Sequence, residues 1–197
     1  MALGLLNFSY ESKVLPYDDE ETPKKLTGKK MLPILSADGK TINESLDIIA
    51  FLDSGDQLKV HQTTNTSQFA AFEELLNQIG SSIHSLAMPY WIYTPEFNDS
   101  SRHYFQSKKE QKRGPFPELV RNQNKYFAEL APKLDEIQSR LNPFYQSETF
   151  SLFDILLASH LWGLYVVPEF QFSEKMHQYL QKVKEICHFD YHKDLWR

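Results

Sequence analysis

Cysteine is almost absent from this chain of 197 residues, which contains Cys187 and no other. One cysteine excludes a disulfide framework within the chain, and such frameworks are typical of small secreted domains. The N-terminus lacks the basic and then apolar layout of a secretory signal, and no apolar run approaches the roughly eighteen residues that can span a bilayer. These absences predict a cytoplasmic protein in a reducing environment, without a membrane partner.

An excess of positive charge is also missing, because 26 acidic residues outnumber 21 lysines and arginines and give a formal net charge of -5. Proteins that bind nucleic acids usually concentrate positive charge to neutralise phosphates, so no nucleic-acid partner is expected. The exception is a short basic run in front of a Gly-Pro pair: Lys108, Lys109, Lys112 and Arg113. Such a run is more often a solvated helix end than a binding surface, and we favour that interpretation.

The first third of the chain alternates short apolar runs with helical patterns, which is typical of an α/β unit. We predict the end of a helix at residues 1–6, a short strand at 13–15, a helix from Thr22-Pro23 to Gly28 and a second strand at 32–35. Asp38-Gly39 then supplies the positive φ angles of a two-residue hairpin, so Thr41-Ile42 should pair antiparallel with the second strand. A helix should follow from about Glu44 to Leu52.

Residues 56–67 are rich in Gln, Thr, Asn and Ser, which predicts a linker between one domain at 1–55 and another at 68–197. The second domain should be all-helical, because its apolar residues recur every three or four positions. Ser151 and Asp154 should cap an almost wholly apolar helix at its centre. Ser173 should cap the last helix, and Pro132 should kink an earlier one.

Two short motifs flank the predicted hairpin. Leu32-Pro33 stands at a strand start, where a trans proline would remove a ladder hydrogen bond, so it is a candidate cis proline. A cis bond would leave the N–H and C=O of Leu32 free to pair with a peptide-like ligand. Glu44-Ser45 falls at a helix N-terminus, where unpaired amides favour a carboxylate, and Glu44 could bind an amino group. Each motif alone is more often a strand-edge proline or a plain helix cap, but together they favour a ligand pocket.

These motifs resemble the thioredoxin-fold half of glutathione transferases, and among them the type 2 glutaredoxins. The resemblance is carried by DEETPKKLTGKKMLPIL at 19–35, ESLDI at 44–48, YFQSKKE at 104–110 and the helix start at 151–154. It therefore extends along nearly the whole chain. The fold that it implies is α/β plus all-α and glutathione-transferase-like, with an incomplete thioredoxin-fold N-terminal domain followed by an all-helical C-terminal domain.

The resemblance also implies a ligand and a site. Glutathione, as substrate or reductant, would be held by the Leu32 main chain, Pro33, Glu44 and Ser45. A lysine before the proline would meet the glycyl carboxylate, but Met31 occupies the usual position, so Lys30 is the substitute. The implied partners are glutathione and glutathionylated proteins or small disulfides, and the complete protein would be a monomer.

Members of that family begin with a strand and a Cys-Pro-Tyr-Cys-like motif at a helix start, and this sequence has neither. Cys187 lies late in the final predicted helix, away from a helix N-terminus that would lower the pKa of its thiol, so we assign it a structural role. Cys187, His188 and His192 do not have an established zinc spacing. We therefore assign no catalytic residue and no metal site.

Three functions remain open from the sequence. The first is a glutaredoxin, a glutathione-dependent thiol-disulfide oxidoreductase, with its catalytic cysteine expected upstream of residue 1 and the 197 residues expected to be inactive alone. The second is a non-catalytic glutathione-binding or partner-binding module. The third, a transferase that uses a hydroxyl, would need a Ser or Tyr near the Leu32 backbone, and none is evident. Because the first strand is missing, bare sheet edges should also let this truncated chain form dimers.

Overall fold

The computed structural model describes residues 1–192, 194 and 195. A two-stranded sheet and a set of helices make up the described chain. In order, the elements are α1 (Ala2–Leu5), α2 (Glu21–Thr27), β1 (Leu35–Ala37), β2 (Lys40–Ile42), α3 (Ser45–Leu52), α4 (Val60–Thr64), α5 (Ser67–Trp91), α6 (Asp99–Arg113), α7 (Phe116–Arg121), α8 (Gln123–Ser139), α9 (Leu152–Leu161), a 3₁₀ helix (Trp162–Val166) and α10 (Glu174–Ile186). No described helix combines the length and the apolar character that crossing a membrane requires.

The predicted hairpin is confirmed. β1 and β2 pair antiparallel, with Leu35 opposite Ile42, and the turn between them has φ of 50° at Asp38 and 71° at Gly39. Positive φ at both turn positions is what the Asp-Gly pair permits at little steric cost. The strand begins at Leu35 and not at residue 32, because Pro33 has no N–H to donate to a ladder.

The strand predicted at residues 13–15 is wrong. Residues 8–16 belong to no helix or strand, and the sheet of the described chain consists of β1 and β2. A strand needs a neighbour for its backbone hydrogen bonds, and none of the described strands lies beside this segment. Val14, at the centre of the predicted strand, is 56% exposed.

The segment predicted as a linker between the domains, residues 56–67, contains helix α4. Leu58 and Val60 are each 4% exposed and pack into the main core. The Asp53 carboxylate accepts hydrogen bonds from the N–H groups of Gln57 (2.9 Å) and Leu58 (2.7 Å), which fixes the turn before α4. The segment has few apolar residues, but these two are buried by the neighbouring elements, so it does not need a core of its own.

The apolar helix α9 lies at the centre of the helical region, as predicted, and Leu157, Ala158 and Leu161 are fully buried in it. Ser151 and Asp154 form the predicted capping box at its start. Ser173 accepts a hydrogen bond from the N–H of Met176 and so caps α10, which is also confirmed. Helix α8 continues through Pro132, and the bend expected there stays a prediction.

Helix α1 packs against the far end of the chain. Its residues Met1, Ala2 and Leu5 contact the main hydrophobic core. The approach is closest at Gly4, where an added Cβ would lie 1.9 Å from the carbonyl oxygen of Cys187. Only glycine can occupy this position without moving one of the two helices.

Candidate functional site

A groove of about 700 Å³ lies between the N-terminal segment and helix α6. One wall comes from the residues around α2 and the loop after it, and the other comes from α6 between Tyr104 and Lys112. Its lining includes Tyr17, Lys30, Leu32, Tyr104, Lys108 and Lys112. The groove has the size and the mixed polar and apolar walls that are usual for a ligand site.

The peptide bond Leu32-Pro33 is cis, as the sequence analysis predicted. Leu32 lines the groove and is 53% exposed. Within the described structure, neither its N–H nor its C=O takes part in a backbone hydrogen bond. The backbone of Leu32 is therefore available to a ligand at the edge of the groove.

Glu44 and Ser45 lie at the start of α3, which confirms the predicted helix boundary. Glu44 is the N-cap residue with extended backbone angles, and Ser45 is the first residue of the helix. Both are exposed, and the Glu44 side chain accepts no capping hydrogen bond. The first amides of α3 have no partner within the helix and carry its positive end.

The five predicted site residues do not all line one cavity. Lys30 and Leu32 line the groove, whereas Pro33, Glu44 and Ser45 lie outside its lining. Pro33 is joined directly to Leu32, and the short hairpin separates it from α3. That Glu44 and Ser45 bind the same ligand as Leu32 stays a prediction.

Lys30 already has partners in the groove. Its ammonium forms an ion pair with Glu20 at 3.0 Å, donates to the Tyr104 hydroxyl at 3.1 Å and lies 4.4 Å from the centre of the Tyr104 ring. Burial alone would lower the pKa of Lys30, but the hydrogen bonds with Tyr104 and Glu20 outweigh it and raise that pKa. An ammonium has three donors, so one remains for a ligand carboxylate.

Glu20 is the centre of this cluster. Its carboxylate accepts hydrogen bonds from Lys24 (2.8 Å), the Tyr104 hydroxyl and Lys30. The Lys24 ammonium and then the other two donors hold the pKa of Glu20 well below its usual range. Glu20 is therefore ionised at neutral pH, and it balances the charge of Lys30.

Two stretches of the chain match known families. Residues 1–54 match the glutathione S-transferase, N-terminal domain, and residues 71–192 match the family described as Glutaredoxin 2, C terminal domain. The second match covers more than half of the chain. The chain belongs to the glutaredoxin 2 family.

Individual relatives agree with this membership. Proteins named Glutaredoxin 2 from Escherichia coli K12 and from Escherichia coli O157:H7 are 33% identical to this chain over 124 residues, which is 61% of this chain and 56% of those proteins. The match thus spans a little over half the length of these curated relatives.

A solved structure shows the same fold over a longer stretch. The crystal structure of Glutaredoxin 2 from Salmonella typhimurium in complex with glutathione matches with a TM-score of 0.84 and 25% identity. The match covers 100% of this chain and 91% of that one. The predicted glutathione-transferase-like architecture, with a small sheet before a helical C-terminal region, is confirmed.

The one cysteine of this glutaredoxin 2 family member is not placed for redox chemistry. Cys187 follows α10, is 1% exposed and forms no disulfide. Burial raises the pKa of its thiol to about 11, so the thiol stays protonated at neutral pH. A nucleophilic cysteine needs the opposite shift. Among the described residues, no group of three or more His, Cys, Asp or Glu side chains could hold a metal ion.

Sequence reasoning did not assign Glu20, Tyr17 or Tyr104 to the site. Tyr104 belongs to a stretch that resembles the type 2 glutaredoxins, and this was the only available sign of its importance. Glu20 and Tyr104 are 84 positions apart, and their contact depends on the docking of α6 against the N-terminal segment. No local pattern predicts such a contact.

Proposed function

We propose that this chain forms the glutathione-binding part of a glutaredoxin, a glutathione-dependent thiol-disulfide oxidoreductase that acts on mixed disulfides. The observation that supports this most is the free backbone of Leu32 at the edge of the groove, directly before a cis proline. A tripeptide can pair with that N–H and C=O as a short antiparallel strand. The related Salmonella protein was crystallised with glutathione, which agrees with this ligand.

The charged groups of glutathione would bind to the start of α3 and to Lys30. Its α-carboxylate would bind the unpaired amides at the start of α3, beside Ser45, where the helix dipole favours negative charge. Its α-amino group would pair with the Glu44 carboxylate. Its glycyl carboxylate would accept a hydrogen bond from the third N–H of the Lys30 ammonium, since Glu20 and Tyr104 engage the other two.

The redox step needs a thiolate that this chain does not supply. In thiol-disulfide exchange, a thiolate attacks one sulfur of the mixed disulfide, forms a new disulfide and releases the other sulfur as a thiolate. Cys187 is buried, and its raised pKa keeps it in the unreactive thiol form. These 197 residues alone are therefore expected to bind glutathione and not to turn over a disulfide.

A second candidate function is a binding module without redox chemistry, which holds glutathione or a protein partner. The buried state of Cys187 is the observation that favours it. The glutaredoxin candidate requires glutathione binding at Leu32 and Ser45 and a reactive thiol that acts on the bound ligand, whereas the module requires no reactive thiol and holds either glutathione or a protein partner. Neither candidate assigns activity to Cys187, so Cys187→Ser should not change the result of a disulfide reductase assay of the purified chain. Activity that is lost in Cys187→Ser would show that the chain acts through this thiol and would contradict both candidates.

Calorimetric titration with glutathione tests the binding site. Ser45→Pro removes one amide donor at the first position of α3, where proline is compatible with the helix and with the extended Glu44 before it. The loss of a hydrogen bond to a carboxylate should raise the Kd about tenfold or more. Glu174→Pro makes the same change at the first position of α10, which does not line the groove, and should leave the Kd unaltered.

Two results would contradict the proposal. The first is wild-type chain that gives no heat with millimolar glutathione. The second is a Ser45→Pro chain that folds normally and binds glutathione as tightly as the wild type does.

A further inference from the structure

The two walls of the groove differ in charge. On the N-terminal wall, Glu20 is engaged by Lys24, Lys30 and Tyr104, and Asp19 accepts a hydrogen bond from the N–H of Thr22 at 2.9 Å. On the α6 wall, Lys108, Lys109 and Lys112 form no ion pair with a carboxylate in the part of the chain that the structure describes. The lining of the groove thus has four lysines against two carboxylates, Asp19 and Glu20, and the three lysines on α6 have no ion-pair partner, in a chain whose net charge is -5.

Aromatic rings hold two of these ammonium groups in place. Lys108 Nζ lies 5.5 Å from the centre of the Tyr104 ring, and Lys109 Nζ lies 5.7 Å from that of Tyr17 and 5.3 Å from that of Phe105. A cation over a ring is positioned without losing its charge. These lysines are therefore partly ordered before an anion arrives, which lowers the entropy lost on binding.

The length of the basic wall fits a short peptide. Tyr104 and Lys112 both line the groove, and eight residues of α helix separate them, which is about 12 Å. An extended chain rises about 3.3 Å per residue, so three or four of its residues would run along this wall. In the proposed function the carboxylates of glutathione bind at α3 and Lys30, so these three lysines are left for another molecule.

We propose that the groove formed by Leu32, Tyr104, Lys108, Lys109 and Lys112 binds an acidic segment of the protein that carries the mixed disulfide. This rests on the proposed function and names its substrate class. Because Leu32 lines the same groove as the lysines, a disulfide at the glutathione site would place the neighbouring residues of its protein along α6. Proteins with Asp or Glu near the modified cysteine would then be the preferred substrates.

Fluorescence anisotropy with four labelled peptides tests this preference. Two peptides have Asp and Glu around a central cysteine, one glutathionylated and one unmodified, and two have Asn and Gln at the same positions. The variant Lys108→Gln/Lys112→Gln should weaken binding of both acidic peptides about tenfold and leave the amide peptides within twofold. The acidic peptides should also lose affinity with added salt in the wild type, and less so in the variant.

A second double variant controls for net charge. Lys59→Gln/Lys182→Gln removes the same two charges from exposed positions that do not line the groove. It should leave all four affinities within twofold of the wild type. If it weakens the acidic peptides as much as the groove variant does, the effect is one of overall charge and the proposal is wrong.

The remaining outcomes separate this inference from the proposed function. Free glutathione should bind the groove variant as it binds the wild type. If glutathione binding falls by the same factor, the lysines hold the tripeptide itself and the inference is wrong. If the wild type binds no glutathione but binds the unmodified acidic peptide through Lys108 and Lys112, the inference stands and the proposed function fails. Equal affinity for acidic and amide peptides overturns the inference in every case.

Discussion

The substitution Asp154→Ala should cause a large loss of stability, because one buried carboxylate satisfies four donors. Asp154 is fully buried at the start of α9. It accepts hydrogen bonds from the N–H and hydroxyl of Ser151 (2.9 and 3.0 Å), the N–H of Tyr145 (2.8 Å) and the hydroxyl of Tyr179 (2.9 Å). Burial raises the pKa of Asp154 although all four donors act against that shift.

The expected loss of stability follows from the hydrogen-bond donors that would lose their acceptor. The Tyr145 N–H and the Tyr179 hydroxyl would be buried without a partner, at about 1–3 kcal/mol each, whereas the Ser151 groups can reach water. Losing the helix cap adds about 1 kcal/mol, and removing a buried carboxylate offsets part of the total. We expect a net loss of about 3–4 kcal/mol in the free energy of unfolding and a Tm lower by about 10 °C.

Urea unfolding followed by circular dichroism measures this loss. Asp135→Ala is the matched control, because Asp135 is exposed on α8, and it should change stability by less than about 0.5 kcal/mol. Tyr179→Phe removes one of the four donors and should cost about 1 kcal/mol. The reasoning is refuted if Asp154→Ala costs no more than Asp135→Ala at an unchanged m-value.

Two further predictions concern the contact between α1 and the end of α10. Gly4→Ala should destabilise the chain by about 1–3 kcal/mol, since its Cβ would overlap the carbonyl of Cys187. Gly80→Ala within α5 is the control and should be neutral or stabilising. Equal effects of the two substitutions in urea unfolding would contradict the close approach of α1 to Cys187. Cys187 should react slowly with iodoacetamide at pH 8, because burial raises the pKa of its thiol to about 11, and it should react quickly in urea or in the Gly4→Ala variant. Rapid alkylation of the folded wild type would rule out the buried thiol.

Features that depend on nearby residues were predictable from the sequence. The Asp38-Gly39 pair fixes its turn through its own backbone angles, and the hairpin and the start of α3 follow from it. Ser173 caps α10 through an amide three residues away. In each case the interacting groups lie within a few residues of one another, so a local pattern contains all the necessary information.

Features that depend on distant residues were not predictable in this way. Residues 13–15 have the composition of a strand, but a strand forms only beside a partner, and the sequence does not show where that partner lies. Leu58 and Val60 are too few to predict a buried helix until the core around them is known. The contact of Glu20 with Tyr104 joins two parts of the chain that lie 84 positions apart. For Tyr104, only the resemblance at residues 104–110 indicated a role.

A cluster of polar side chains joins the segment before the sheet to α6 across the groove: Glu20, Lys30 and Tyr104. Ionic strength weakens exposed charge pairs far more than it weakens apolar packing. Concentrated salt should therefore weaken the contact between Glu20 and Lys30, while Tyr17, whose ring centre lies 4.6 Å from that of Phe105, keeps the N-terminal segment packed on α6. We expect the fit of a bulky substrate to depend on the surrounding electrolyte through this cluster and not through a change in the packing of α6.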